Sequence, residues 1–438
     1  MSPAEVLRAL AGEPLPFALV GAWAGGGAIV GSDPVRVAGQ DEDPFALLDD
    51  LPPLAGEPAP AGTVGGGWFG WLGYRLAARV ERVPLHAHRP VALPDFHLAY
   101  YDNVLRLDPG GRWWFEALAG EERRAELERR LRHVRARLAR PAPAAGADPP
   151  GPLRLGAEPA AHHLDAVADC RRRIAAGEIF QANLCLRLET AFTGSPAALL
   201  ARALEHVAPP YAAAFTTPRG AVVSLSPELF LRRRGRDLVT GPIKGTIARA
   251  GDPAVAARAL ARLRASAKDA AEHVMIVDLM RNDLGRVCEY GTVSAPRRPA
   301  AEPHPGVWHL VSHVRGRLRA GAGDADVLCA TFPPGSVTGA PKVQSLKVIA
   351  ALEHSGREVY TGAVGLASPV AGLELNVAIR TLELGDGRMW LGAGGGIVAD
   401  SDPRTELEEA LTKARPIAVA IGTSVLTETT GSPHHAAS

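Results

Sequence analysis

Glu406, Glu409 and Lys413 stand at i, i+3 and i+7 in the run DPRTELEEALTK, so a helix there carries all three on one face. Two carboxylates and an ammonium on one stripe suit a hard, oxygen-ligated cation held beside an anionic substrate. A salt-bridged surface helix has the same pattern. The preceding strand, MWLGAGGGIVADS, leaves backbone N–H groups at Gly392, Gly394, Gly395 and Gly396 open to a carboxylate. GAGGG holds no complete GxGxxG and lies at a strand end, which argues against a dinucleotide site.

Lys244 lies in GPIKGT (241–246), one hairpin after SPELFL, so Glu228 is expected opposite it. A lysine nucleophile must shed its proton, and burial lowers its pKa from about 10.4. A salt-bridged surface lysine is the plainer alternative. In AKDAAEHVMIVDLMRNDLGRV (267–287) the spacing predicts a long helix with an apolar stripe through Val274, Ile276, Val277, Leu279 and Met280. Glu272 interrupts that stripe near its start, with His273, Asp278, Asn282 and Asp283 beyond. A carboxylate against so much apolar surface is costly unless it is paired or binds metal.

These segments need a scaffold, and 438 residues suffice for two domains or one large multilayer unit. Helices are predicted near 161–177, 196–207, 252–284, 341–354 and 403–415, the last opened by Ser401, Asp402 and Pro403. Strands are predicted near 180–190, 222–232, 360–368, 374–384 and 389–399. They come as hairpin-like neighbours, so an α+β layered fold is favoured over a doubly wound sheet. Residues 1–140 read as β-rich with short apolar runs at 17–20, 66–72 and 96–107. An Arg/Glu-rich helix follows at 121–140, its interleaved glutamates marking a solvated face over a nucleic-acid contact. PAPAAGADPPGPLRLGAEP (141–159) reads as a linker, and 423–438 as a disordered tail.

The net charge of +1 gives no reason to invoke nucleic acid or a membrane surface, and no run approaches the ~18 apolar residues of a membrane span. Cys170, Cys185, Cys288 and Cys329 are scattered without a CxxC pair and read as reduced core thiols of a cytoplasmic protein.

Taken in order, FQANLCLR, SLSPELFL, GPIKGT, EHVMIVDLMRNDLGRV, HLVSHVRG, FPPGSVTGAPK, VYTGAVG, NVAIRTLEL and GAGGGIVADSDPRTELEEALTKA resemble the chorismate-utilising enzymes. That family includes anthranilate synthase component I, aminodeoxychorismate synthase component I and the isochorismate and salicylate synthases. The resemblance covers 160–416 and, more weakly, VGGGWFGWLGY (64–74). It implies a large multilayer α+β fold, a β-sandwich core flanked by helices, as in anthranilate synthase component I.

Position by position, it implies Mg2+ on Glu272 and Glu409, with Glu406 acting through water. It places Gln181, Gly245, Thr246, Ser336, Tyr360, Arg380, Gly394, Gly396 and Lys413 around the substrate. His309, with Glu228 and Lys244, falls among the catalytic groups. His313 stands where arginine is common. Two positions then separate the subfamilies. Gln181 replaces the lysine base of the water-adding members, and glutamine cannot deprotonate water. Lys244, where anthranilate synthases read PIAGT, marks the aminodeoxychorismate synthases. No segment resembles a glutamine amidotransferase, so a separate amidotransferase subunit is the expected ammonia source. A pyridoxal-phosphate lyase is equally absent. PFALVGAW stands where a tryptophan-sensing LLES-type motif would lie. Anthranilate synthase component I, or a catalytically silent chorismate-binding paralogue, is the alternative.

Overall fold

The computed structural model describes residues 1–55, 59–86, 88–91, 93–140, 148–248, 252–265, 267–296, 298–304 and 307–427. Its centre is two large, almost wholly antiparallel sheets. Among the described residues one has twelve strands and the other eight, with a further three-stranded sheet alongside. The alternating apolar residues of the two inner faces interdigitate, which is how sheets form a sandwich. Phe17, on the first strand (Phe17–Gly21), stacks on Phe69 of the opposite sheet at 4.4 Å between ring centres and on Phe215 at 5.5 Å. Val222, Trp71, Val364 and Trp390 fill the same layer. The outer face of the twelve-stranded sheet is covered by helices Pro3–Ala9, Pro196–His206 and Pro403–Ala420. Pro44–Asp49, Ala267–Gly285 and Asp324–Thr331 cover the other sheet. The α+β sandwich expected from the sequence is thus the observed architecture.

Several boundaries differ. Strand 222–232 is two strands, Gly220–Ser226 and Leu229–Arg234, and 374–384 is Gly372–Val377 and Thr381–Gly385. The helix expected over 252–284 is two, Pro253–Ala265 and Ala267–Gly285. Its buried stripe is His273, Ile276, Met280 and Leu284, while Val274 is 67% exposed and lies off it. The last helix runs through Pro416 to Ala420, because Ile417 and Ala418 still have core to cover. Cys329 is exposed, unlike Cys170 and Cys288.

Only part of 141–159 can be a linker: Leu153–Leu155 is a strand and Ala157 opens the helix Ala157–Ala175. Residues 141–147 and 428–438 lie outside the described residues. Of the expected tail, Val425–Thr427 is a strand paired in parallel with Leu153–Leu155. Nor do 1–140 and 160–416 form separate sheets. Phe17–Gly21 pairs with Tyr211–Thr217, and Gly67–Leu72 with Ala363–Ser368. The Arg/Glu-rich helix, Arg124–Leu138, spends its arginines on carboxylates: Arg130 reaches Glu13 at 3.0 Å, and the neighbouring Arg123 reaches Asp102 at 2.6 Å.

A buried ion pair that the sequence patterning does not show ties the substrate-side elements together. Arg357, 3% exposed, grips both oxygens of Glu353, donates to Val337 C=O at 2.8 Å and lies 4.8 Å over the Tyr74 ring. Arg357→Met would leave Glu353 buried without its counter-charge and should cost about 3–5 kcal/mol in urea unfolding. A loss below about 1 kcal/mol would show that the pair is not needed to neutralise the site.

Candidate active site

Lys244 is on the strand Ile243–Ala248, which pairs with Val307–Val311. The register slips between Ile243 and Thr246, and Gly245 adopts φ +81°, the left-handed conformation that glycine tolerates. This bulge re-aims Lys244 out of the strand's alternation. Part of the residue's surface stays open to the cleft, but the amine itself is enclosed. Burial therefore lowers its pKa, and Lys413 lowers it further, against the opposing pull of Glu272, Glu228 and Glu409. All four charged groups are thus electrostatic neighbours of one amine. In the register Thr246 faces His309, itself 1% exposed, two positions from Lys244. The Thr246 side chain lies outside the described residues.

Glu228 sits in the two-residue break between Gly220–Ser226 and Leu229–Arg234, 4% exposed. Its backbone is pinned: its N–H donates to Ser226 Oγ at 3.2 Å and its C=O accepts from Val377 N–H at 3.0 Å. Burial pushes its carboxyl up to about 7, although Ser336, Lys244, the Ile243 N–H and Arg380 all pull it down. Ser336 Oγ faces this carboxyl without completing a hydrogen bond of good geometry among the described residues. Arg380, held at φ 51° with its C=O accepting from Leu225 N–H at 3.0 Å, has its pKa lowered by burial and raised by Glu228.

The glycine strand Arg388–Ile397 lines up beside Gln181–Ala191, with Gly394 opposite Cys185 and Gly396 opposite Asn183. Gln181, 1% exposed, has its Nε2 2.1 Å from where a Gly396 Cβ would stand, and its Oε1 makes no hydrogen bond among the described residues. Over Gly395 the helix stripe converges: a Cβ there would lie 3.2 Å from Glu406 Oε2, 3.4 Å from Lys413 Nζ and 3.8 Å from Glu409 Oε1. Ser401 Oγ fixes Glu406 at 2.6 Å, and Lys413 Nζ bonds Gly394 C=O and Glu409 Oε1, each at 2.9 Å. The stripe predicted for this helix is therefore the observed one.

Among the described residues no three His, Cys, Asp or Glu side chains meet at metal-binding spacing. Mg2+ needs only one or two carboxylates because it keeps several waters. Glu409, about half exposed, with Glu406 beside it and Glu272 acting on the same Lys244 amine, offers such carboxylates.

Tyr360 is 5% exposed, its hydroxyl 3.6 Å from Cys185 Sγ, and burial drives its phenol strongly toward the protonated form. It also lines a cavity of about 310 Å3 that no other expected site residue lines. His313 lies 3.7 Å from Glu302 and beside Gly241, at the start of GPIKGT. Sequence reasoning missed His273 as a neighbour of Lys244. Its Nε2 meets Ser312 Oγ at 2.7 Å, and burial and Lys244 hold its pKa down to about 4. It missed Glu383 too, which accepts from Val359 N–H at 2.6 Å and Tyr360 N–H at 2.8 Å. A carboxylate inside the apolar run TLEL was the available signal.

With this geometry in view, the chain can be compared with known proteins. The family model for the chorismate binding enzyme matches residues 35–419. The chain belongs to the chorismate-binding enzymes. It is 36% identical over 411 residues to an anthranilate synthase component 1 of Streptomyces coelicolor, covering 90% of this chain and 80% of that one. To an aminodeoxychorismate synthase component 1 of Klebsiella aerogenes it is 37% identical over 358 residues, covering 80% and 76%. The solved anthranilate synthase component I of Streptococcus pneumoniae superposes with a TM-score of 0.78 at 29% identity, over 92% of this chain and 90% of that one. Like other chorismate-binding enzymes it is an enzyme acting on chorismate, and among the described residues no helix is long and apolar enough to cross a membrane.

Two outcomes follow for this chorismate-binding site. The folded-state pKa of Glu228, about 7, exceeds its ordinary 4.5, so between those values the folded chain keeps a proton that the unfolded chain has lost. That stability is complete below about pH 4.5 and is lost as pH rises through about 7, a change of up to about 3 kcal/mol. Urea unfolding at pH 5 and pH 8 should show this decrement in the parent and not in Glu228→Gln. An equal decrement in both would assign it to another group. Gly394→Ala would place its Cβ 2.2 Å from the Leu184 carbonyl, in a strand pair that cannot part, whereas Gly395→Ala meets only mobile side-chain ends. The first should lower stability by about 1–3 kcal/mol and the second by far less. Equal unfolding midpoints would contradict this packing.

Proposed function

We propose that the chain is an aminodeoxychorismate synthase component I, converting chorismate and ammonia to 4-amino-4-deoxychorismate in the cytoplasm for 4-aminobenzoate and folate synthesis. The carrying observation is Lys244: an enclosed amine, shifted toward its neutral form, beside a carboxyl with pKa about 7. That is a nucleophile and a general acid poised in one cleft.

Ring and side-chain carboxylates of chorismate lie against Arg380, Tyr360, Lys413 and the N–H groups of Gly394 and Gly396. Gln181 and Ser336 supply the free polar atoms that the substrate's oxygens would meet. Mg2+ on Glu272 and Glu409, with Glu406 behind it, would screen and polarise the ring carboxylate. The Lys244 amine attacks carbon 2 while Glu228 passes its proton to the departing 4-hydroxyl, which leaves as water. The lysine's extra proton returns to the Glu228 carboxylate. Ammonia then adds at carbon 4, both ring double bonds shift back, and Lys244 leaves carbon 2 as a neutral amine, taking its proton from the Glu228 carboxyl, the product nitrogen remaining as ammonium. Carbon 2 is blocked while the adduct stands, so ammonia is directed to carbon 4. His309, buried in register with Thr246, closes the wall behind Lys244. Ammonia comes from a separate glutamine amidotransferase subunit, in line with relatives named as component 1 of a synthase.

The similarity to an anthranilate synthase component 1 at 36% identity favours one alternative, amination at carbon 2. The purified chain should convert chorismate, with ammonium at alkaline pH, to 4-amino-4-deoxychorismate in an EDTA-sensitive way, identified by chromatography and mass spectrometry. Anthranilate as product would establish the alternative. Lys244→Ala should lower turnover at least a hundredfold and abolish any covalent adduct. Full yield of the para product from that variant would sink the covalent step.

A further inference from the structure

The cavity of about 310 Å3 beside Tyr360 lies between the helix Ala157–Ala175, the end of Lys342–Leu352 and the strand Gln181–Ala191. Its size suits a ring-sized molecule more than a few waters, each of which takes about 30 Å3. Its wall carries an unmet donor. The Arg187 side chain is 9% exposed and its Nη1 is paired with Glu383, yet Nη2 is buried with no hydrogen-bond partner among the described residues. A buried guanidinium N–H without an acceptor costs about 1–3 kcal/mol or more, which an oxygen ligand would recover.

The rest of the wall fixes what that ligand can be. Glu383 balances Arg187, Glu353 balances Arg357 at 2.6 Å, and Glu189 is matched by Arg388 at 2.6 Å. His163, 4% exposed, is held neutral by burial, its pKa near 4. His162 Nε2 donates to Leu352 C=O at 2.8 Å. Among the lining arginines and glutamates the one left over is the exposed Arg154 at the rim, so the cavity suits a single negative charge and not a dianion. The rings of Trp390, Tyr360, His162 and His354 line it, the two histidines 5.3 Å apart in edge-to-face contact.

We infer that this cavity is a second ligand site, for a small aromatic monocarboxylate whose carboxylate accepts from Arg187 Nη2 while its ring lies against Trp390 and the histidines. The site is wired to the substrate side. The Glu383 carboxylate that pairs with Arg187 also holds the N–H groups of Val359 and Tyr360, at 2.6 and 2.8 Å. A ligand on Arg187 Nη2 shares its guanidinium with the carboxylate that holds that turn. Binding is independent of the function proposed above; an effect on chorismate turnover rests on it.

The test is calorimetric titration of benzoate into the full chain with EDTA and no ammonium, with and without excess chorismate. One benzoate site should survive saturating chorismate, weaken at least tenfold in Arg187→Met, and weaken likewise in Ser355→Trp, which narrows the cavity but leaves Arg187 and Glu383 in place. Benzamide, the neutral isostere, and inorganic phosphate should not fill it. Full displacement of benzoate by chorismate, unchanged binding in Ser355→Trp, or equal binding of benzamide would each overturn the inference. Should Arg187→Met fail to fold, Ser355→Trp decides. A chain that binds benzoate in this way but never binds chorismate would refute the proposed function and leave this site standing.

Discussion

Glu228 and Lys244 are both driven by burial toward their uncharged forms, and each is partly restrained by the other. Neither would be shifted on an open surface, where water would solvate both charges. The cleft must therefore exclude water on every side while keeping one route open to a polar substrate. The sandwich beneath is filled by rings such as Phe17, Phe69 and Phe215. The bulge at Lys244–Gly245 turns the amine inward, and the break between two strands presents Glu228. On the open side lie the half-exposed Glu409 and Lys413, where charge can stay hydrated until substrate arrives.

The glycine strand serves the same end by subtraction. Side chains are missing at Gly394, Gly395 and Gly396, where the neighbouring strand, the carboxylate helix and Gln181 press closest. Removing Cβ atoms lets backbone N–H groups form part of the site's surface, and leaves Lys413 able to reach the Gly394 carbonyl. Charge is concentrated on the helix side of this strand, and uncharged hydrogen-bonding groups on the other.

Motifs were far more legible than boundaries. The stripe Glu406–Glu409–Lys413 follows from helical spacing alone, and Lys244 next to a glycine signals a bend. The pairing of Glu228 with Lys244 across a hairpin was within reach of chain order. What the sequence does not display are contacts made by single residues from distant segments: His273 with Ser312, Arg357 with Glu353 and Tyr74, Arg187 with Glu383. Buried ion pairs leave no periodic trace, since each partner interrupts an apolar run only once. The linker assigned to 141–159 failed for a related reason. Proline and glycine density there is real, but Leu153 and Leu155 gain a strand by pairing with residues near the other end of the described chain.

That last pairing bears on how the molecule is made. Ala24 donates to Glu374 across 350 residues of sequence, and Val425–Thr427 closes an edge of the twelve-stranded sheet. Contact order is accordingly high: Phe17–Gly21 and Gly67–Leu72 each have one early neighbour, Gly27–Gly31 and Phe96–Tyr101, and one late neighbour, Tyr211–Thr217 and Ala363–Ser368. The early strands that carry Phe17 and Phe69 therefore each keep one open β-edge until partners encoded hundreds of codons later arrive. The active site, whose expected residues run from Gln181 to Lys413, is among the last parts of the molecule to exist.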